Sequence, residues 1–198
     1  MDDRTIFERI ECQNLIWKNG LYDYLYKTVF SVRFSIASFF IEKYSRDGTV
    51  LDVGAGSGTL FSYCENFIKK YCYNDISREA FKVFQDNSLV KNNTNKIEVI
   101  CDNINCIQKA KKFDAIIALG IAKHVYEQDT FISLFNDNLR NNGVMILETT
   151  DACEAFQYYC NKLPKPVHSI KYEILDDFDF GTTKIRMMNV YKKEYADE

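Results

Sequence analysis

The stretch Val50-Leu51-Asp52-Val53-Gly54-Ala55-Gly56-Ser57-Gly58-Thr59 decides how the chain folds. It is a short apolar, β-branched run that ends in a loop with glycines at positions 54, 56 and 58. This pattern predicts a buried strand, a tight turn and a helix that begins near Thr59. The spacing differs from the G-x-G-x-x-G of dinucleotide-binding proteins, and it suits a nucleoside with an amino-acid tail better than a pyrophosphate.

Acidic residues stand at the ends of the first three predicted strands. Asp52 directly precedes the glycine loop, where we expect it to bind a ligand's ammonium group, directly or through water. Asp75 lies 21 positions after Gly54, close to the spacing of about 20 at which a carboxylate binds ribose hydroxyls. Asp102 and its neighbour Asn103 suit an adenine amino group and ring nitrogen. The same residues could instead form a plain strand-to-helix turn at the glycines, a helix N-cap at Asp75 and an exposed loop acid at Asp102.

Strands and helices alternate along most of the chain, which predicts an α/β fold with a doubly wound, mostly parallel sheet of the Rossmann-like kind. The seven predicted strands are 49–53, 71–74, 97–101, 113–119, 143–149, 171–175 and 184–192. The predicted helices are 5–18, 22–44, 59–69, 78–88 (with Ser77 as its N-cap), 128–139 and 153–163, and 86–96 is predicted as a surface loop. The last two strands are joined by a glycine-containing connection, which predicts a hairpin with an antiparallel strand at or near the edge.

Length and composition indicate one domain, in which 1–48 is predicted to be helical and 49–198 forms the core and C-terminal strands. A net charge of −3 gives no general attraction to nucleic acid or to anionic membranes, so neither is an expected partner. Neither a signal pattern nor a run of about 20 apolar residues is present, and the expected location is the cytoplasm. The seven cysteines include no Cys-x-x-Cys pair, which predicts reduced thiols and no metal site.

These features resemble the S-adenosylmethionine (SAM) binding core of class I methyltransferases, over about 49–149. The glycine loop resembles their first motif, 74–80 their ribose-binding segment and Asp102-Asn103 their adenine-binding segment. The run Leu119-Gly120-Ile121-Ala122-Lys123-His124-Val125 is similar to the small-molecule branch that includes ubiquinone- and menaquinone-type enzymes. That branch usually has an acid where this chain has Lys123, and Pro-Gly-Gly where it has Asn141-Asn142-Gly143.

The resemblance implies SAM as the cofactor, S-adenosylhomocysteine (SAH) as the product and a small-molecule methyl acceptor, with oxygen and nitrogen both open as the methylated atom. The oligomeric state stays open. The implied cofactor-binding residues are Tyr22, Asp52, Gly54, Ala55, Gly56, Gly58, Asp75, Ile76, Asp102, Asn103 and Leu119.

Two histidines are the candidate bases. His124 follows the fourth predicted strand and is expected near the transferred methyl group, and histidine is the side chain best suited to accept a proton near pH 7. His168 lies in the C-terminal segment that often frames the substrate of related enzymes. His124 could equally be a structural histidine bonded to a backbone carbonyl. The resemblance also implies that residues 1–48 form an N-terminal helical lid over cofactor and substrate, from which Tyr22 is the expected cofactor contact.

Four alternative functions can be compared with small-molecule methylation. A methyltransferase acting on nucleic acid usually carries an Asn/Asp-Pro-Pro-aromatic motif after the fourth strand, where this chain has Ala118-Leu119-Gly120-Ile121. A protein substrate is a further possibility, as is a SAM-binding module without catalysis, because intact binding motifs do not prove turnover. The glycine spacing disfavours a nicotinamide-dependent oxidoreductase.

Overall fold

The computed structural model describes residues 3–19, 31–100, 103–107, 110–121, 128–150, 154–175 and 183–194. The strands are β1 (Thr49–Val53), β2 (Lys70–Asn74), β3 (Ile97–Ile100), β4 (Phe113–Leu119), β5 (Leu139–Thr150), β6 (His168–Leu175) and β7 (Thr183–Lys192). The helices are α1 (Asp3–Lys18), α2 (Ser31–Ser45), α3 (Thr59–Cys64), α4 (Arg78–Asp86), α5 (Ser88–Asn92), α6 (Gln128–Ser133) and α7 (Glu154–Lys162). None of these helices combines the length and the apolar character needed to cross a membrane.

Within the described residues the seven strands form one sheet in the order β3-β2-β1-β4-β5-β7-β6. The strands from β3 to β5 pair in parallel, and β7 pairs antiparallel with both β5 and β6. The predicted α/β class, the mostly parallel sheet and the C-terminal antiparallel hairpin are therefore confirmed. Because β1 and β4 are adjacent and their connections leave in opposite directions, the carboxyl ends of these strands border the crevice where ligands bind in such sheets.

Helices cover both faces of the sheet, as a doubly wound fold requires. On one face α2 packs through Phe34, Ala37, Phe40 and Ile41, all buried, which lie on one side of the helix because their spacing follows its 3.6-residue period. On the other face α6 and α7 cover β4 and β5, with the buried Phe131 ring edge-on to the ring of Tyr159. The central strands are therefore buried on both sides, which explains why 113–119 is largely apolar.

Several boundaries differ from the prediction. The segment 86–96 is predicted as a surface loop, but most of it forms α5 and a short 3₁₀ turn. The Asn87 side chain accepts a hydrogen bond from Leu89 N (2.9 Å) and so caps the additional helix. Helix α3 ends at Cys64 instead of Lys69. Helix α6 ends at Ser133 and continues as a π-helical turn, after which β5 begins at Leu139 rather than at 143.

The glycine loop is shaped by the backbone and by its own neighbours. Gly54 and Gly58 have φ angles of 67° and 68°, in the left-handed region that other residues seldom adopt. A Cβ atom on Gly54 would lie 2.9 Å from Cγ1 of Ile121, and one on Gly58 would overlap the ring of Phe84. These two glycines thus allow close packing within the protein as well as the tight turn.

We expect Gly58→Ala to lower the free energy of unfolding by about 2–4 kcal/mol, from left-handed strain and overlap with Phe84. In a double-mutant cycle, Phe84→Ala removes the overlap. The double variant should therefore lose less unfolding free energy than the two single variants lose together, by about 1 kcal/mol or more. Chemical denaturation measures all four proteins. Gly54→Ala with Phe84→Ala is the control cycle, expected to be additive, and additivity at Gly58 would contradict the packing argument.

Candidate functional site

The end of β2 holds the glycine loop in place through three hydrogen bonds. Ala55 N donates to the carbonyl oxygen of Asn74 (2.9 Å), and Gly56 N donates to Oδ2 of Asp75 (2.8 Å). The hydroxyl of Tyr73 donates to the carbonyl oxygen of Gly56 (2.8 Å). Both backbone polar groups of Gly56 are therefore bonded to the β2 end, so the loop and the turn after β2 behave as one unit.

Asp75 connects the two turns at the edge of the sheet. Its carboxylate is buried, and its second oxygen, Oδ1, accepts a hydrogen bond from Ser77 N (2.8 Å). Burial raises the pKa of Asp75, and the backbone hydrogen bonds from Ser77 and Gly56 oppose that rise. Each carboxylate oxygen can accept more than one hydrogen bond, so Asp75 retains capacity for ligand hydroxyls.

Ser77, and not Asp75, is the N-cap of α4. The Ser77 hydroxyl oxygen accepts a hydrogen bond from Ala80 N (3.2 Å), which confirms the predicted cap. The same hydroxyl donates to Oδ1 of Asn14 (2.8 Å), so α1 contacts the turn that carries Asp75. The Asp75 carboxylate is therefore not needed as the N-cap, and its described hydrogen bonds go to the glycine loop and to its own turn.

Asp52 is the second buried acid at this end of the sheet. It accepts a hydrogen bond from the hydroxyl of Tyr71, and it is only 4% exposed. Burial raises the pKa of Asp52 to about 7, the Tyr71 hydrogen bond lowers it, and the nearby Asp75 carboxylate raises it. A cation placed between these acids would be favoured, because it would offset the cost of ionising them away from water.

Aromatic residues that were not predicted from the sequence support Asp52 and the glycine loop. Tyr71 and Tyr73 lie two apart on β2, so their side chains point to the same face, and their hydroxyls reach Asp52 and the Gly56 carbonyl oxygen. The Tyr73 ring stacks on Phe84 with centroids 4.2 Å apart, and Phe84 in turn packs against Gly58. The only sequence signal for these tyrosines is their alternation in 70–74. Their hydroxyl partners could not be predicted, because those partners depend on the strand register.

The structure also places several other predicted cofactor residues. Ala55 is buried in the loop, Ile76 is half-buried between Asp75 and Ser77, and Leu119 is the last, buried residue of β4. Asn103 is half-buried, and its carbonyl oxygen accepts a hydrogen bond from Cys106 N (2.9 Å). Tyr22, Asp102 and His124 lie outside the described residues.

His168 is not brought together with the glycine loop. It begins β6, where its Nε2 hydrogen-bonds the Tyr44 hydroxyl (2.7 Å) and its ring stacks on Phe40 with centroids 4.9 Å apart. Tyr44 lies in the last turn of α2, about 16 Å along the helix axis from Arg33, which contacts the carboxyl end of β5. The described side-chain contacts of His168 join β6 to α2 and include no residue of the glycine loop, and its role as a base stays a prediction.

A buried ion pair stands beside the carboxyl ends of β4 and β5. Arg33 Nε lies 3.3 Å from Oε1 of Glu148, and the Tyr172 hydroxyl donates to the same oxygen (2.5 Å). Burial and the Glu148 carboxylate both raise the pKa of Tyr172. The sequence signal for this pair was a charge set in or directly after an apolar run, Arg33 within 28–41 and Glu148 after 144–147.

Comparison with known proteins identifies the family. A family model described as a methyltransferase domain matches residues 30–186, which is most of the chain. A ubiquinone biosynthesis O-methyltransferase from Pelagibacter ubique is 29% identical over 100 residues, covering 50% of this chain and 41% of that protein. The chain thus matches less than half the length of this relative.

Solved structures share the fold at low sequence identity. The N-methyltransferase NodS from Bradyrhizobium japonicum WM9, solved with SAH, matches with a TM-score of 0.68 at 9% identity, covering 92% of this chain and 98% of NodS. A putative RNA methyltransferase from Pyrococcus horikoshii matches with a TM-score of 0.67 at 13% identity, covering 82% and 85% of the two chains. The family match, over a fold shared with these structures, shows that the chain belongs to the methyltransferase domain family.

Proposed function

We propose that the protein transfers a methyl group from SAM to an oxygen or nitrogen atom of a small molecule. The observation that carries the proposal is the pair of buried acids, Asp52 and Asp75, set against a glycine loop with left-handed backbone. A cofactor with vicinal hydroxyls and an ammonium group matches this arrangement, because it supplies hydrogen-bond donors to one carboxylate and a positive charge to the other.

Each acid has its own proposed task. Asp75 accepts hydrogen bonds from the ribose hydroxyls, and Asp52 faces the ammonium of the amino-acid tail. The backbone of the glycine loop packs against the cofactor. The remaining proposed contacts are Ile76, Leu119, Asp102, Asn103 and Tyr22.

SAM supplies an electrophilic methyl group on a sulfonium, so the protein must align the acceptor atom in line with it and exclude water. A hydroxyl or ammonium acceptor must also lose a proton, for which a positioned base is the usual device. His124, in the segment after β4, is the proposed base, since the ordinary pKa of histidine lies near physiological pH. Methyl transfer of this kind requires no metal ion.

Support for a small acceptor comes from two sides. The net charge of −3 disfavours a polyanionic substrate, and the matching Pelagibacter ubique protein is named a ubiquinone biosynthesis O-methyltransferase. An RNA substrate is supported only by fold likeness to proteins such as the putative RNA methyltransferase. A protein substrate and a SAM-binding module without turnover have no specific observation in their favour, and the experiment below distinguishes the second of them.

The direct test measures SAH formation by mass spectrometry, with SAM plus either a panel of small phenols, hydroxy acids and amines or total RNA. We expect turnover with members of the small-molecule panel and none with RNA. Asp75→Asn should lower the rate about tenfold or more, since it removes charged hydrogen bonds to the cofactor. The matched control is Asp114→Asn at the amino end of β4, where Asp114 accepts a hydrogen bond from Thr49 N (2.7 Å) and pairs with Arg140 (2.8 Å).

The control variant should keep the wild-type rate within about twofold, because its contacts are far from the glycine loop. Turnover with RNA alone would contradict the small-molecule proposal. Equal losses in Asp75→Asn and Asp114→Asn would contradict the role given to Asp75. Tight SAH binding without turnover on any acceptor would favour a SAM-binding module without catalysis.

The buried Asp52 carboxyl should make stability depend on pH. Its pKa is about 7 when folded, against the ordinary 3.8, so the folded state holds a proton that the unfolded state has released. The stability gained from this bound proton is fully present below the unfolded pKa and is lost as pH rises through about 7. Between pH 5 and pH 8.5 the wild type should therefore lose stability relative to Asp52→Asn, by on the order of 2 kcal/mol.

Urea denaturation of both proteins across that range measures the difference. Tyr71→Phe removes the hydrogen bond that lowers the Asp52 pKa, so it should move the midpoint of the pH effect upward. A stability difference that is flat with pH would show that Asp52 is already ionised in the folded protein.

A further inference from the structure

Four residues form a charged cluster on the α2 face of the sheet: Arg33, Glu148, Tyr172 and Arg186. Arg33, Glu148 and Arg186 are 4%, 0% and 2% exposed. Glu148 Oε1 carries the ion pair with Arg33 and the hydrogen bond from Tyr172. Arg186 on β7 lies opposite Tyr172 on β6, and the charges of Glu148, Arg33 and Arg186 all act on the Tyr172 hydroxyl.

The charged cluster lies next to the carboxyl end of β4. Gly120 follows that strand, and a Cβ atom placed on it would be 3.5 Å from Glu148 Oε2 and 3.4 Å from an Arg33 nitrogen. The following residue, Ile121, packs against Gly54 of the glycine loop. The cluster is therefore continuous with the proposed cofactor site, on the side that extends toward β5, β7 and β6.

Two members of the cluster have polar atoms that no described residue satisfies. Glu148 Oε2 and the Nε and Nη1 atoms of Arg186 are buried without a hydrogen-bond partner among the residues that the structure describes. An unmet buried charge costs free energy, typically several kcal/mol for an ion. Polar groups are retained at such a cost most readily where a ligand satisfies them.

The charges of the cluster select the kind of ligand. Two arginines and one glutamate leave a net charge of +1, which a carboxylate (−1) neutralises and a phosphate dianion exceeds. Guanidinium groups bind carboxylates through parallel N–H donors with good geometry. Glu148 Oε2 needs a donor, such as a hydroxyl or an amine N–H.

We propose that Arg186 binds a carboxylate of the methyl acceptor while Glu148 Oε2 accepts a hydrogen bond from a hydroxyl or amine of the same molecule. The acceptor class is then small hydroxy or amino carboxylic acids. This inference rests on the proposed small-molecule transfer. The three charged side chains of the cluster are buried, so acceptor entry requires an opening movement.

Thermal unfolding tests the proposal without turnover. Wild type and Arg186→Met are each measured alone, with lactate, 3-hydroxybenzoate or 3-aminobenzoate, and with 3-hydroxybenzamide or phosphate. Without ligand, Arg186→Met should be at least as stable as the wild type, because it removes an unsatisfied buried charge. At least one carboxylate should raise the wild-type Tm by about 2 °C or more without affecting Arg186→Met. The amide and phosphate should raise neither.

The matched control is Arg140→Met, which removes an arginine paired with Asp114 at the opposite end of the sheet and should keep the carboxylate effect. Marked destabilisation by Arg186→Met would overturn the proposal, since it would mean that Arg186 already has a partner. The proposal would also be overturned if no carboxylate raised the Tm of the wild type. The same holds if carboxylates raised the Tm of both proteins equally, or if the amide raised it as much as the carboxylates. A parallel SAH titration separates the two hypotheses, because failure of wild type to bind SAH counts against the proposed function itself.

Discussion

The proposed cofactor end of the molecule depends on the Asp75 carboxylate, which accepts hydrogen bonds from the backbone of two separate turns. One oxygen accepts from Gly56 in the loop after β1, and the other accepts from Ser77 at the start of α4. Since β1 and β2 are neighbours in register, these bonds fix the relative height of the two turns. The Tyr73 hydroxyl adds a third bond, which it donates to the carbonyl oxygen of Gly56.

The two halves of the candidate site carry buried charges of opposite sign. On the cofactor side the buried charges are carboxylates with raised pKa values, which favour a cation. On the side toward β5 and β7, the cluster around Arg186 is net positive. A methyltransferase that binds a cationic cofactor and a carboxylate-bearing acceptor would need this division, because each ligand meets the opposite charge and the two attract one another across the site.

Much of the cofactor side could be predicted from the sequence because its signals are local. The apolar run into Gly54, the acid at Asp75 and the cap at Ser77 each follow from a few neighbouring residues, and the strand–helix alternation implied the parallel sheet. The hydroxyl partners of Tyr71 and Tyr73 could not be predicted in the same way, since they depend on strand register. The helix at 88–92 was missed because asparagine and serine serve equally in loops and at helix caps.

Long-range packing accounts for the remaining differences. His168 follows Pro164 and Pro166 in sequence, yet its described side-chain contacts are with α2, more than 120 residues earlier in the chain. The ion pair between Arg33 and Glu148 joins residues on different elements, and nothing in either local sequence indicates the partner. The only sequence signal for such a pair is a charged residue within or beside an apolar run.

Hydrogen exchange followed by mass spectrometry, with and without saturating SAH, tests the central claim most directly. If the glycine loop and the Asp75 turn hold the cofactor, peptides covering 50–60 and 71–80 should gain protection together, whereas peptides at the amino end of β5 should not change. Unchanged exchange in both of those segments, despite measurable SAH binding, would contradict the account and place the cofactor elsewhere in the molecule.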